Sequence, residues 1–254
     1  MSYTSAYLDP ALYDVVYTKA RVDDVPFYVD LARRQNGLVL EVACGTGRVL
    51  LPTMQAGVDI HGFDLEPGML DRLREKARPL GLTPKVFQAD MRDFTMPARY
   101  RLITIPFRAF LHMESTEDQI RALRCVREHL ESGGVLAFNV FYPCVDIIAA
   151  SEGVRKLSID TTHLETGRPV RVYDVQRYQR AAQRVAVERD VVIENEDGTT
   201  STGSYGFELR WIYRFEMELL LRAAGFTHFE FFGGFDGRPL EKDTDEMVVL
   251  ARKD

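Results

Sequence analysis

Residues 40–50, LEVACGTGRVL, constrain what this chain can fold into more than any other stretch. The apolar run over 38–43, LVLEVA, has the length of a strand buried on both faces. Gly45 and Gly47 interrupt it, and RVLLPTMQAG then reads as a short helix closing at Gly57. A strand, a glycine turn and a helix in that order open a parallel crossover unit. The turn also lets a ligand approach the backbone at a helix start.

The alternation continues downstream. VDIHGFD predicts a second strand, EPGMLDRLREKARPLG a second helix and PKVFQAD a third strand. YRLITIPF follows as a fourth strand, TEDQIRALRCVREHLESGG as a helix capped by Thr116, and GVLAFNVF as a fifth strand. Upstream, PALYDVVYTKA and DVPFYVDLARRQ read as two helices, the second capped by Asp23 or Asp24 with Pro26 in its first turn. This spacing gives an α/β fold, a doubly wound, Rossmann-like, mostly parallel sheet that binds ligands at the strand carboxyl ends. From residue 169 the period changes. PVRVYDVQRYQR, RVAVERDVVIE and GSYGFELRWIYRF alternate apolar and polar residues, and Asp197-Gly198 signals a hairpin. These form an antiparallel β insertion over 143–212, between strands five and six. The helix FEMELLLRAAGF and strands near 226–232 and 246–252 return to the α/β pattern. The expected organisation is therefore N-terminal helices over 1–36, an α/β domain over 37–142 and 213–254, and the insertion. Residues 150–168 have no regular pattern and read as a lid.

Composition narrows the function classes. The formal net charge is −6 with both signs interspersed, so nothing forms the basic stripe that neutralises a nucleic-acid backbone. No apolar run approaches a membrane span and the N-terminus lacks a secretory pattern, so no membrane partner and a cytoplasmic location are expected. Cys44, Cys125 and Cys144 are odd in number and far apart, so neither a disulfide framework nor a metal cluster follows from them.

The glycine turn selects its ligand. A dinucleotide fingerprint has Gly or Ala where this chain has Leu50, so NAD loses its close-packing residue. Glu41, just before the turn, sits poorly beside a pyrophosphate and well beside a cationic amine. S-adenosylmethionine, with an ammonium, a sulfonium and no phosphate, fits. Asp64 stands about 20 residues after the turn, where an acid accepts from ribose hydroxyls. Asp90 in QADM is placed to accept from an adenine amino group, with Leu65 and Met91 against the ring. The plainer reading leaves the glycines to a tight turn and the two aspartates to helix caps. Cys44 reads as a small space-filler and Met69 as core.

Together VLEVACGTGRV, GFDLEPGML and QADMRDF resemble the successive cofactor motifs of class I S-adenosylmethionine-dependent methyltransferases, in order and spacing. The resemblance covers about 10–140 and 214–252. It implies a seven-stranded sheet with the last strand antiparallel, S-adenosylmethionine as cofactor, and contacts from Glu41, Gly45, Gly47, Asp64, Asp90 and Met91. More narrowly, LYDVVYTKARVDDVPFY, FLHM after strand four and the insertion resemble small-molecule methyltransferases of the sugar N,N-dimethyltransferase kind, which implies a small-molecule acceptor. Tyr13 and Tyr17 lie one helical turn apart and share a face. Spacing alone has them packing the helix on the body, whereas the resemblance implies that they close over the cofactor and line the substrate pocket. Arg108 and His112 follow strand four at the edge where the acceptor must lie. His112 is expected to take or relay a proton while Arg108, Tyr13 and Tyr17 orient the substrate. Tyr142, Tyr205 and Trp211 are candidates for the same pocket or for core. A nitrogen or an oxygen nucleophile, and a substrate wall or a homodimer contact for the insertion, stay open. The competing classes are a domain that binds the cofactor without catalysis and a nucleotide-dependent oxidoreductase.

Overall fold

A computed structural model describes residues 10–17, 24–149, 152–163 and 166–254. Asp23 and residues 18–20 of the expected first helix lie outside the described residues. The chain begins with α1 (Pro10–Tyr17) and α2 (Val25–Gln35), followed by β1 (Val39–Val42), α3 (Leu50–Gln55), β2 (Ile60–Asp64), α4 (Pro67–Ala77) and β3 (Lys85–Gln88). Next come β4 (Tyr100–Ile105), α5 (Thr116–His129), β5 (Leu130–Phe141) and the short α6 (Val145–Ala149). The insertion supplies β6 (Lys156–Thr162), β7 (Pro169–Gln179), β8 (Arg184–Glu194) and β9 (Thr200–Arg210). The chain closes with α7 (Arg214–Ala223), β10 (His228–Phe232) and β11 (Glu246–Arg252).

Seven strands form one sheet in the order β3-β2-β1-β4-β5-β11-β10. β11 runs antiparallel to both of its neighbours, and the pairs from β3 to β5 are parallel. Alternate residues of the central strands feed two cores. Leu40, Val42, Ile103, Leu136 and Phe138 pack towards α5 and α7. Val39, Leu102, Val135 and Ala137 pack towards α2, α3 and α4. Each such large side chain contributes about 1.5–3 kcal/mol by leaving water. Leu50, which stands where a dinucleotide fold has a small residue, is accommodated from the strand side. A Cβ on Gly62 would lie 2.5 Å from Leu50 Cδ1, so the close approach is made by a glycine of β2.

The insertion is a four-stranded antiparallel meander, β6-β7-β8-β9. The Asp197-Gly198 signal falls in its last loop, where Gly198 takes φ +78 and Asp197 accepts from the Thr199 N–H at 3.0 Å. On its inner face, Val170, Val172 and Val191 bury against Val15 and Val16 of α1. Further along the same face, Val185, Val187 and Trp211 pack with Ile148 of α6. The tie between α1 and the body is polar. Asp14 accepts from Thr46 at 2.6 Å, Lys76 at 2.8 Å and Arg72 at 2.9 Å.

Three local expectations need correction. Ser115, not Thr116, caps α5, accepting from the Asp118 N–H at 3.1 Å. Its extended backbone lets the hydroxyl reach that N–H, whereas Thr116 is already helical. The helix ends at His129, and β5 starts at Leu130 rather than at Gly134, through a register shift beside Tyr100. Within 150–168, β6 is regular structure: an exposed edge strand whose alternation is broken by an irregularity between Leu157 and Ile159. Among the described residues no helix is long and apolar enough to cross a membrane, and no metal-ligand cluster is present.

Candidate active site

The carboxyl ends of the parallel strands, α1 and the inner face of the insertion enclose one cavity of about 1160 Å³. Its first wall is made of strand ends. Gly45 takes φ +52 and its N–H donates to Asp64 Oδ2 at 2.8 Å, while Asp64 Oδ1 accepts from the Glu66 N–H at 3.0 Å. One buried carboxylate therefore fixes both the glycine turn and the end of β2. Burial pushes the Asp64 carboxyl up, and its backbone hydrogen bonds oppose that shift. Phe63, Leu65, Met69 and Met91 give this wall its apolar surface, so Met69 is both core and lining. Asp90 also lines the wall and is gripped by Arg92, from Nε at 3.0 Å and Nη2 at 2.5 Å. That pairing holds the Asp90 carboxyl below the usual carboxylate range.

Glu41 and Gly47 stand behind this wall. Glu41 has the parity of Val39, is 2% exposed, and leaves Oε2 without a hydrogen-bond partner among the described residues. Burial raises its carboxyl well above the ordinary range, and Arg48, itself bound to Asp24, opposes the shift. Gly47 takes φ +83, and a Cβ there would lie 2.8 Å from Leu73 Cγ, so it admits α4 to the turn.

The second wall starts after β4. Phe107 and Arg108 both take left-handed backbone, with φ of 57 and 64, at a cost on the order of 1–3 kcal/mol each. A buried network holds them there. Asn139 Oδ1 accepts from the Phe107 N–H at 3.0 Å and from the Tyr28 hydroxyl at 2.8 Å. Its amide donates to Glu246 Oε1 at 2.6 Å, and Arg108 grips Glu246 from Nε at 2.9 Å. His112 lines the cavity and bonds to the Glu208 backbone. Burial pushes its imidazole down to about 4, so the ring is neutral at pH 7.

α1 closes the top of the cavity. Tyr13 and Tyr17 both line it, with ring centroids 4.5 Å apart, and Tyr17 meets Phe107 edge-on at 5.2 Å. Burial raises the Tyr13 phenol. Arg189 of the insertion donates to the Tyr17 hydroxyl and grips Asp174 at 2.6 and 2.7 Å. Tyr142 and Trp211 line the cavity, whereas Tyr205 packs with Val170 and Val191 beneath α1. Cys44 is a buried filler under the turn, beside Gly62.

Residues 39–134 match the family model of a methyltransferase domain. Over this segment the chain is similar to S-adenosylmethionine-dependent methyltransferases. It is 26% identical over 215 residues to the cypemycin N-terminal methyltransferase of a Streptomyces species, across 85% of this chain and 82% of that one. Over 137 residues it is 29% identical to the dTDP-3-amino-3,4,6-trideoxy-alpha-D-glucopyranose N,N-dimethyltransferase of Streptomyces venezuelae, across 52% of this chain and 56% of the relative. The solved structure of an amino pentose methyltransferase from Micromonospora echinaspora, with S-adenosylmethionine bound, is similar in fold at a TM-score of 0.72 and 21% identity, covering 100% of both chains.

The methyltransferase cavity fits its cofactor chemically. Among the described residues eight carboxylates line it against three guanidiniums, which suits a ligand carrying a sulfonium and an ammonium. The unpartnered Glu41 oxygen lies just below the turn. Sequence reasoning missed Arg92, Asn139, Asp174, Arg189 and Glu246. The acid pair Asp245-Glu246 before the apolar run MVVL is the one visible signal among these, because charges at a strand mouth seldom serve packing.

Proposed function

We propose that this methyltransferase transfers the methyl group to the nitrogen of a small-molecule amine by in-line displacement. The observation that carries the reading is the charge of the cavity, where carboxylates outnumber guanidiniums and His112 is neutral. Such a site gathers cations, and an amine reaches it as an ammonium. A relative named an N,N-dimethyltransferase and another named an N-terminal methyltransferase support the same reading.

S-adenosylmethionine, when bound, supplies a methyl group on a sulfonium that leaves as a neutral thioether. Asp64 would hold its ribose hydroxyls, Asp90 its adenine amino group, and Leu65 and Met91 the faces of the ring. Gly45 and Gly47 shape the turn, and the buried Glu41 carboxyl stands beneath it as a hydrogen-bonding group. The acceptor first loses its extra proton. With that proton given up to water, its nitrogen lone pair would form the new N–CH3 bond while the S–CH3 pair leaves with sulfur, and the product ammonium would release its proton to water. Positioning supplies on the order of 7–11 kcal/mol of such a barrier, more than a general base adds. With its pKa near 4, His112 is too weak a base to store the proton. In this reading it accepts a hydrogen bond from the acceptor N–H and aims the lone pair. Tyr13 and Tyr17 close over both ligands, and Arg108 with Glu246 holds the turn under the acceptor.

Mass spectrometry of products from a panel of primary amines and matched alcohols tests the reading. N-methyl products are expected, and a His112→Gln variant should keep the wild-type shape of the pH profile above pH 5. O-methyl products with every amine untouched would overturn it.

A further inference from the structure

Resting on that amine reading, we infer that the acceptor is a phosphate-free amine with a flat apolar body, seated on the insertion's inner face with Trp211 as its specificity residue. The first observation is that every guanidinium lining the cavity among the described residues is committed to a carboxylate. Arg92 holds Asp90, Arg108 holds Glu246 and Arg189 holds Asp174. No lysine is among the described lining residues. A nucleoside diphosphate entering here would meet eight carboxylates, and guanidiniums whose charge a carboxylate already balances.

The second observation is the wall itself. Val185, Val187 and Leu209 present alternate residues of β8 and β9 to the cavity, and Tyr178 meets Trp211 edge-on at 6.2 Å. The surface is apolar and broad, as a ring or a hydrocarbon face requires. Trp211 is 2% exposed, and its Nε1 is buried without a hydrogen-bond partner among the described residues. A buried indole N–H is rarely left alone, because the unmade bond is costly. A carbonyl or ether oxygen on the acceptor satisfies it and fixes the acceptor's rotation about the wall. The ligand therefore carries three features: an amine for the acidic mouth, a flat apolar body for the wall, and one neutral oxygen acceptor for Trp211.

Calorimetry on protein loaded with S-adenosylhomocysteine tests this with three probes. Phenylalanine methyl ester has all three features, methyl 3-phenylpropanoate lacks only the amine, and thymidine diphosphate offers the phosphates. The amino ester is expected to bind, and to weaken three- to tenfold in Trp211→Phe while S-adenosylhomocysteine affinity stays the same. Thymidine diphosphate is expected to give no binding heat. Thymidine diphosphate binding as tightly as the amino ester to the wild type would overturn the inference without recourse to any variant. So would an unbound amino ester, or one that binds equally to both proteins. If methyl 3-phenylpropanoate binds as well as the amino ester, the amine reading fails while the apolar wall stands.

Discussion

The two walls of the cavity are built differently. On the cofactor wall, side chains at strand ends are locked to backbone N–H groups, as Asp64 is to Gly45 and Glu66. On the insertion wall, side chains alternate along strand faces whose ladders run independently of them, as Val185 and Val187 do on β8. Changing Asp64 alters the backbone of the turn. Changing Val187 or Trp211 alters only a surface. The difference teaches that the proposed cofactor contacts are tied to the course of the backbone and the proposed acceptor contacts to replaceable side chains.

That contrast can be broken by experiment. The largest effect is expected from Asp64→Ala, which removes the acceptor for two backbone N–H groups and a carboxylate lining the cavity. S-adenosylhomocysteine affinity should fall about 100-fold or more by calorimetry, since charged hydrogen bonds contribute roughly 1.5–3 kcal/mol each. A loss of affinity confined to the acceptor would erase the distinction between the walls.

A comparable effect is expected from pH at His112. Its imidazole sits at about 4 in the folded protein against about 6.5 when unfolded. The unfolded chain therefore takes up a proton that the folded protein refuses, so stability falls as pH drops from about 6.5 towards 4, by about 3 kcal/mol. Urea titrations across that window should show the decline in the wild type and a flatter curve in His112→Gln. Equal slopes would mean that the ring is not held neutral.

Smaller still is Gly62→Ala, which sets a methyl against Leu50 and should cost about 1–3 kcal/mol in urea with unchanged acceptor selectivity. At the bottom of the range, Lys85→Ala removes an exposed pair with Asp59 and should stay within about 0.5 kcal/mol of the wild type.

The wall of strand ends was legible in the sequence because strand, turn and acid recur at spacings that parallel crossovers enforce. Asp64, Asp90, Leu65 and Met91 reach one wall for that reason. Glu41 shows the limit of such reading. Its place before the turn was visible, but strand parity points it behind the wall, towards Asp24 and Arg48. Arg108 and the acid pair at the start of β11 were visible one by one, but the network that joins them was not. Arg108 and Glu246 are 138 residues apart, and Asn139 and Glu246 are 107 apart, so no local pattern announces them. β6 escaped notice because an exposed edge strand needs no apolar alternation to hold its place. The Ser115 cap turned on one residue of backbone conformation, which lies below the resolution of any sequence signal.

Calorimetric titration of wild-type and Asp64→Ala protein with S-adenosylhomocysteine and with NAD tests the central claim most directly. The account predicts tight binding of the sulfur ligand to the wild type, its loss in the variant, and no heat from NAD with either protein. Binding of NAD to the wild type, or full retention of S-adenosylhomocysteine by Asp64→Ala, would contradict the cofactor wall described here.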